Sequence, residues 1–554
     1  MQPRWSIYSI FLLAVSLSTA CEGQVESVTV TETPPQAVTA TATPKPVKPA
    51  EATATTVVTA RPTITLTLTP TGALPAYSEA LLESLVWQEV EGVPGYSLKA
   101  LKDWEMGFRS PGYCLLGPYR WLDGEHLLLF PIVELLPFQD EAFIEVAQPV
   151  VASLGGAAPW IVGEPQRSCQ LPVWSPAAQV VIEVVAGEAR LRDLEGRITA
   201  SFPGRLPLEL APSGLRLVAG DSWIDIESGE VVPLPGLRAD GHSKIGWTED
   251  ERRIFGCCFY YADVRSGERW EREEFPDFFI GGRGSWPGEE LWSISHWIRD
   301  DTQAIVELFA FWFFPRQSDG LMPIPIPLFD PITRSYVDLI SELNLGTPPN
   351  CDFYLAPGAE QLWLQCSERG ESQWLPYEEA YLVTLDSLEV VAVTGQPEFL
   401  GWSLDGRYIV YNRNAESDES RKVSWLLTSD GESHQLADPA AAGVIWHPSA
   451  PLGALRYEEG NRLQFFNAAS GQTREFFFEG PILETVWDPE EAGVILLTAE
   501  GRLWRLEDVF DASRAPEAIT PAMSGLHSLR WSPDGGKVAF VGENVLFVAT
   551  IAGK

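Results

Sequence analysis

The sequence predicts an all-β chain whose four-stranded antiparallel sheets repeat around a ring, a β-propeller, and three observations predict it. A short apolar strand ending in Trp or a substitute, then a turn rich in Ser, Pro, Asp and Gly, then a second apolar strand, recurs ten times. The anchors of these copies lie 36 to 58 residues apart, which brackets the roughly 40 to 45 residues of a four-stranded blade. Composition agrees, with 21 Trp and 26 Phe beside 46 Gly and 44 Pro, the usage of many short strands joined by turns.

Taken in chain order, the first element is an address. Met1 and Arg4 precede a largely apolar run from Trp5 to Leu17, and Ser18-Thr19-Ala20-Cys21 follows. A charged start, a short apolar stretch and small residues before a cleavage point form a secretory signal over residues 1–20, shorter than the roughly 20 apolar residues of a membrane span. Cys21 after Ala20 resembles the lipobox of bacterial lipoproteins, which implies diacylglycerol on Cys21 as the first mature residue. Ser18 stands where that family usually has Leu, with Leu17 one position back, so simple secretion or an uncleaved anchor stays open. Each of these places the body outside the cytoplasm, in the cell envelope or at the surface.

Residues 21–75 read as a disordered stalk. From Glu22 to Pro75 there is no aromatic residue, and Thr, Pro, Ala and Val dominate, so too little apolar surface exists to offset ordering. Residues 76–554 are the predicted propeller domain.

The clearest repeats run from Leu529 to Gly542 and from Leu400 to Asn412, and others centre on Trp121, Trp174, Leu210, Trp247, Trp297, Leu355, Trp446 and Trp487. Such sheets have no dry core alone and gain one by stacking side by side. Trp531-Ser532-Pro533-Asp534-Gly535, and Trp402-Ser403 with Asp405-Gly406, resemble the signature of bacterial WD40-like and TolB-like propeller repeats. That resemblance implies a fold, with the motif shaping the first hairpin of a blade, and carries no activity over. The last unit offers three strands before Lys554, so a segment near Tyr96 to Phe108 is expected to complete it and close the ring. Ten units exceed the usual four to eight, which leaves one large ring or two smaller ones.

Seven Cys are present, six once Cys21 is set aside. Cys351 and Cys366 fall on the two strands of one hairpin, equidistant from its turn at Gly358 and Ala359, and are expected to form a disulfide. Cys114 and Cys169 precede the first strands of consecutive units and form a second candidate pair. Cys257 and Cys258 are strand neighbours, read either as buried thiols or as a vicinal disulfide.

Motifs that carry chemistry are missing from the sequence. It holds no G-x-S-x-G elbow, no H-E-x-x-H, no C-x-x-C, no phosphate-binding loop and no D-x-[DN]-x-[DN]-G calcium loop. His242, His296 and His527 lie on or beside predicted first strands, where scattered hydrogen-bonded histidines outweigh a metal site. With 39 basic against 76 acidic residues and a net charge of -37, nucleic acid is disfavoured as a partner. No catalytic residue, cofactor or metal is therefore expected.

In a four-stranded meander, turns alternate between the two ends of the sheet. Connections from second to third strand, and from blade to blade, therefore share one face. The long segments Pro276–Pro287, Pro315–Met322, Ser367–Tyr377 and Arg413–Lys422 read as connections of those two kinds. They carry Phe278, Phe279, Arg283, Trp286, Arg316, Trp374 and Tyr377, the residue types of binding hot spots. The expected function is extracytoplasmic, non-catalytic binding of a protein or glycan by a membrane-tethered propeller. The alternative is a hydrolase or lyase that acts on polysaccharide at the channel mouth.

Overall fold

The computed structural model describes residues 76–551 apart from 102–117, 138–142, 166–171, 238–244, 257–259, 271–291, 299–302, 309–326, 331–334, 346–349, 368–378 and a scatter of shorter gaps. All of these residues belong to one compact unit, Ala73–Lys554. The leader, Cys21 and the stalk lie outside the described residues, as do Cys114, Cys169, Cys257 and Cys258.

Ten antiparallel sheets follow one another, numbered here as blades 1 to 10. They span 119–161, 173–203, 208–233, 245–270, 292–338, 350–394, 398–437, 443–477, 482–518 and 527–550. Each contains one of the ten anchors read from the sequence, at or next to the end of its first strand. Blades 2 to 9 are four-strand meanders in chain order. Blade 1 has the same layout with a hairpin, Ile132–Pro137 and Phe143–Ala147, inserted between its second and third strands.

The ring closes between the two ends of the domain. Blade 10 supplies His527–Trp531, Lys537–Gly542 and Val545–Thr550, and Ser97–Leu101 adds antiparallel to the last of these, from Ser97 opposite Thr550 to Leu101 opposite Leu546. That is the expected closing segment. A fifth strand, Trp87–Val90, then pairs with Ser97–Leu101. The helix Ala76–Ser84 comes before it, and its Leu81, with Leu85 just beyond, is buried among Tyr119, Trp121, Val541 and Leu546 at the seam of blades 1 and 10.

Every seam joins sheets that are consecutive in sequence, except the one that joins the ends. Mixed apolar cores hold blade 1 to 2, 2 to 3 and 3 to 4. Arg253–Gly256 of blade 4 lies against Trp292–Ile298 of blade 5. Leu339, in a short helix after blade 5, is buried with Leu362 and Leu364 of blade 6. Further cores join blades 6 to 7, 7 to 8, 8 to 9, 9 to 10 and 10 to 1. The order describes a single ring of ten, not two smaller rings. First strands of adjacent blades approach one another, as innermost strands do.

Because each sheet is covered on both faces by its neighbours, a middle strand is apolar along its length instead of alternating. Val494–Thr498 is buried at all five positions. Burying one such Val or Leu fully is worth about 1.5–3 kcal/mol relative to exposure.

Two recurring devices lock the inner hairpins. The first is an indole bond across the seam. Trp121, Trp247, Trp402, Trp446, Trp487 and Trp531 each donate Nε1–H to the carbonyl of the residue just before the anchor in the preceding blade. Those acceptors are Arg530, Glu209, Tyr354, Gly401, Ile445 and Val486, at 3.0 to 3.4 Å. Trp121 makes this bond from the first blade back to the last, so the repeat chemistry itself carries the closure. Among the anchor tryptophans whose side chains are described, Trp174 is the exception, its buried Nε1–H having no acceptor.

The second device occupies the position after the anchor, which is a buried clamp on the turn. Ser532 accepts the Lys537 amide and donates to Asp534, and Ser403 accepts the Tyr408 amide and donates to Asp405. Elsewhere the same place is filled by other acceptors: Ser175 for the Ala178 amide, Thr248 for Arg253, His447 Nδ1 for Ser449 and Ala450, and Asp488 for Glu490 and Glu491. All six are at most 2% exposed. These turns stack on their neighbours, which explains glycine there: Gly406 has φ 69°, and a Cβ on it would meet the Pro357 carbonyl at 2.5 Å.

Contrary to the sequence expectation of a long connection, most of the segment from Arg413 to Lys422 is strand. Tyr408–Ala415 and Asp418–Thr428 continue pairing past the blade, with Asn414 opposite Lys422. Polar side chains hid the strand in the sequence because this extension projects beyond the core, where no apolar alternation is required.

Candidate functional site

The topology sorts the connections onto two faces. First-to-second and third-to-fourth turns emerge on one, which is the clamp face. Second-to-third and blade-to-blade connections emerge on the other. The long segments fall on this second face: the inserted hairpin of blade 1 and the extended hairpin of blade 7 both join second to third strands. Residues 309–326 and 368–378 join second to third strands of blades 5 and 6, and 271–291 joins blade 4 to blade 5. Phe278, Phe279, Arg283, Trp286, Arg316, Trp374 and Tyr377 belong to these last three segments and lie outside the described residues.

The described part of the same face exposes apolar side chains. Leu135 sits on the inserted hairpin, Phe477 ends blade 8, and Leu483 begins blade 9; they are 41%, 67% and 50% exposed. The Arg462 guanidinium lies 3.9 Å from the Tyr457 ring centroid and 5.9 Å from that of Phe477. Beside Leu483 is a cavity of about 550 Å³, walled by the turn at Ala499, Glu500 and Gly501 and by the connection through Met523 into blade 10. Large apolar side chains next to a stacked arginine and a cleft suit a partner surface.

The channel wall is built by the innermost strands. At the residue before the anchor, Val173, Tyr354, Ile445 and Val486 pack against the seams, whereas Arg120, Glu209 and Arg530 are exposed. Water reaches Glu209, yet the protein walls around it deprive the carboxylate of bulk hydration and push its pKa up to about 7. Glu484 has a structural task, accepting the amides of Ser528 and Leu529 at 2.7 and 2.6 Å across the seam of blades 9 and 10. Burial pushes the Tyr119 hydroxyl well above its ordinary range, and it donates to the Ser528 carbonyl at 2.5 Å.

His296 lies on the first strand of blade 5 and His527 on that of blade 10, whereas His242 is outside the described residues. His527 is exposed and its Nδ1 is 2.8 Å from Ser528 Oγ. Among the described residues no three His, Cys, Asp or Glu side chains converge as metal ligands would. Cys351 and Cys366 face each other directly across the first two strands of blade 6 and are joined by a disulfide. No helix among the described residues is long and apolar enough to cross a membrane. Sequence reasoning did not single out Glu209 or the arginines; the signal was their place before an anchor, which gains meaning only once the indole bond identifies the innermost strand.

No family model matches the chain, and no curated protein does. Many solved structures match the chain. A crystal structure of the eukaryotic initiation factor is 11% identical, over 71% of this chain and 96% of its own, with a TM-score of 0.37. The Dos1 propeller is 8% identical over 77% and 90%, with a TM-score of 0.32. An oligogalacturonate lyase in complex with manganese is 12% identical over 84% and 96%, with a TM-score of 0.31. Likeness at these values says nothing of what the chain binds. What the sheets, their seams and their closure establish is the fold, a β-propeller.

Proposed function

We propose that this chain is an extracytoplasmic, membrane-tethered propeller, anchored through lipid on Cys21, which binds a protein or glycan partner and catalyses no reaction. The observation that supports this reading is the asymmetry of the ring: most of the long connections join second to third strands or blade to blade and so gather on one face, while the opposite turns are short apart from residues 507–516 of blade 9. Connections on a rigid scaffold are where binding residues concentrate. A stalk with the lipid at its far end would hold that face away from the bilayer.

Site-specific photo-crosslinking in the native envelope tests the assignment. A photoreactive residue at Trp286 or Trp374 should trap the partner, and one at Glu195, in a third-to-fourth turn on the clamp face, should not. Equal trapping from both faces, or from the clamp face alone, rejects the reading. One observation favours the polysaccharide-acting alternative: Glu209, in the channel and with its pKa pushed up to about 7, is poised as a general acid or base would be. Depolymerising activity lost on Glu209→Gln would establish that alternative.

A further inference from the structure

Six buried side chains clamp first turns, and His447 alone among them is a group that changes charge near neutral pH. Its ring is fully engaged. The amides of Ser449 and Ala450 both donate to Nδ1, each at 3.1 Å, so Nδ1 carries no hydrogen. That fixes the tautomer: Nε2 holds the hydrogen and donates it to the Glu491 carbonyl at 3.0 Å, on the first turn of blade 9. One imidazole therefore ties its own turn and joins blade 8 to blade 9. At the seam of blades 2 and 3, Ser175 performs both tasks with a hydroxyl that does not titrate, accepting the Ala178 amide and donating to the Gly214 carbonyl at 2.6 Å.

The arrangement at His447 tolerates only the neutral ring. A proton on Nδ1 turns the acceptor into a donor that faces two other donors, and it places a charge on a side chain that is 2% exposed. Burial holds the ring below the ordinary histidine range, although the bond to Glu491 and the charge of Asp488 favour the cation. Across the seam, Asp488 already accepts the Glu490 and Glu491 amides, and the side chains of Glu490 and Glu491 are exposed. Residues 448–451 of its own turn carry no charge. On the side of blade 7, Asp405 accepts from the Ser403 hydroxyl and the Arg407 amide. Because the folded ring binds its proton less tightly than an unfolded one, its contribution to stability is complete above 6.5 and is lost as pH falls from there through the lowered value.

We propose that His447 is an acid-released latch: at neutral pH it holds the first turns of blades 8 and 9 together, and proton uptake by the ring frees both turns and opens that seam on the clamp face. The latch lies on the face opposite the proposed partner surface and does not depend on what binds there.

The test uses the full chain and follows amide hydrogen exchange by mass spectrometry between about pH 7.5 and about pH 5, with rates corrected for the intrinsic effect of pH. Protection of the Ser449 and Ala450 amides should fall below pH 6.5, by up to roughly tenfold per pH unit. The amides of Tyr408 and Lys537, which serine clamps hold, should keep theirs. His447→Asn offers an acceptor that takes up no proton, and in that variant the acid response at Ser449 and Ala450 should vanish. On the unmodified chain, exchange of the imidazole C2 hydrogen reads the titration of the ring itself and should place it below 6.5. Protection at Ser449 and Ala450 that is indifferent to pH, an equal loss at Tyr408 and Lys537, an acid response that survives His447→Asn, or a ring that titrates at 6.5 or above would each overturn the proposal.

Discussion

The two faces of the ring are built from the same strands and differ in what their turns must do. On the clamp face a buried Ser, Thr, His or Asp after the anchor holds the turn in six blades, and turns pack on their neighbours at Gly124, Gly214 and Gly406. Connections there are short apart from residues 507–516, and the clamp chemistry recurs in most of the first hairpins. On the other face no such clamp recurs, and the chain inserts hairpins and long segments without altering the ladder beneath them. Where the structure depends on a turn the sequence repeats, and where it does not the sequence is free to diverge toward binding.

That contrast can be broken most forcefully at an anchor. Trp487, 6% exposed and packed between Phe465 and Val494, should cost about 3–5 kcal/mol when replaced by Ala, whereas replacing 368–378 by a short Gly-Ser linker should change stability by no more than about 0.5 kcal/mol. Denaturant titration of both variants compares the two faces directly. Next in size is the clamp: Ser403→Ala or Ser532→Ala leaves a buried amide without its acceptor and should cost about 1–3 kcal/mol in the same assay.

A finer comparison separates two tryptophans. Trp402→Phe removes the bond to Tyr354 and should destabilise by about 1 kcal/mol, while Trp174→Phe removes a buried N–H that has no acceptor and should be close to neutral. Smallest is the effect of Glu209, because its exposed carboxylate is screened by solvent. Its raised pKa means that the neutral form favours the fold: this contribution is complete below the ordinary 4.5 and fades as pH rises through about 7. Glu209→Gln should flatten stability against pH across that window, measured as melting temperature in matched buffers.

Much of the fold was legible because the ring imposes local chemistry at fixed places. Each anchor found its own sheet, and the three-strand last unit pointed to closure from the N-terminal side. Trp87–Val90 was not foreseen, because a four-residue outer strand with no turn motif carries no periodic signal. The inserted hairpin of blade 1 was missed for a related reason, since its apolar residues look like one more repeat strand. Tryptophan was visible at the anchors, but the carbonyl each one binds lies 38 to 48 residues away in most blades, and across the whole ring for Trp121. At the candidate site the residue types were legible in the sequence, while the face follows from the topology. Arg120, Glu209 and Arg530 carry no motif and emerge only when the innermost strands are known.

Closure of ten blades into one ring by a strand from the far end of the chain is the claim on which the rest stands. Ser97 and Thr550 are exposed and directly opposite across that closing pair, so Ser97→Cys with Thr550→Cys tests it most directly. The account predicts a quantitative intramolecular disulfide under mild oxidation, in a chain that stays monomeric, with a higher melting temperature that returns to the parent's on reduction. Failure to crosslink, or crosslinking only between separate chains, would contradict it.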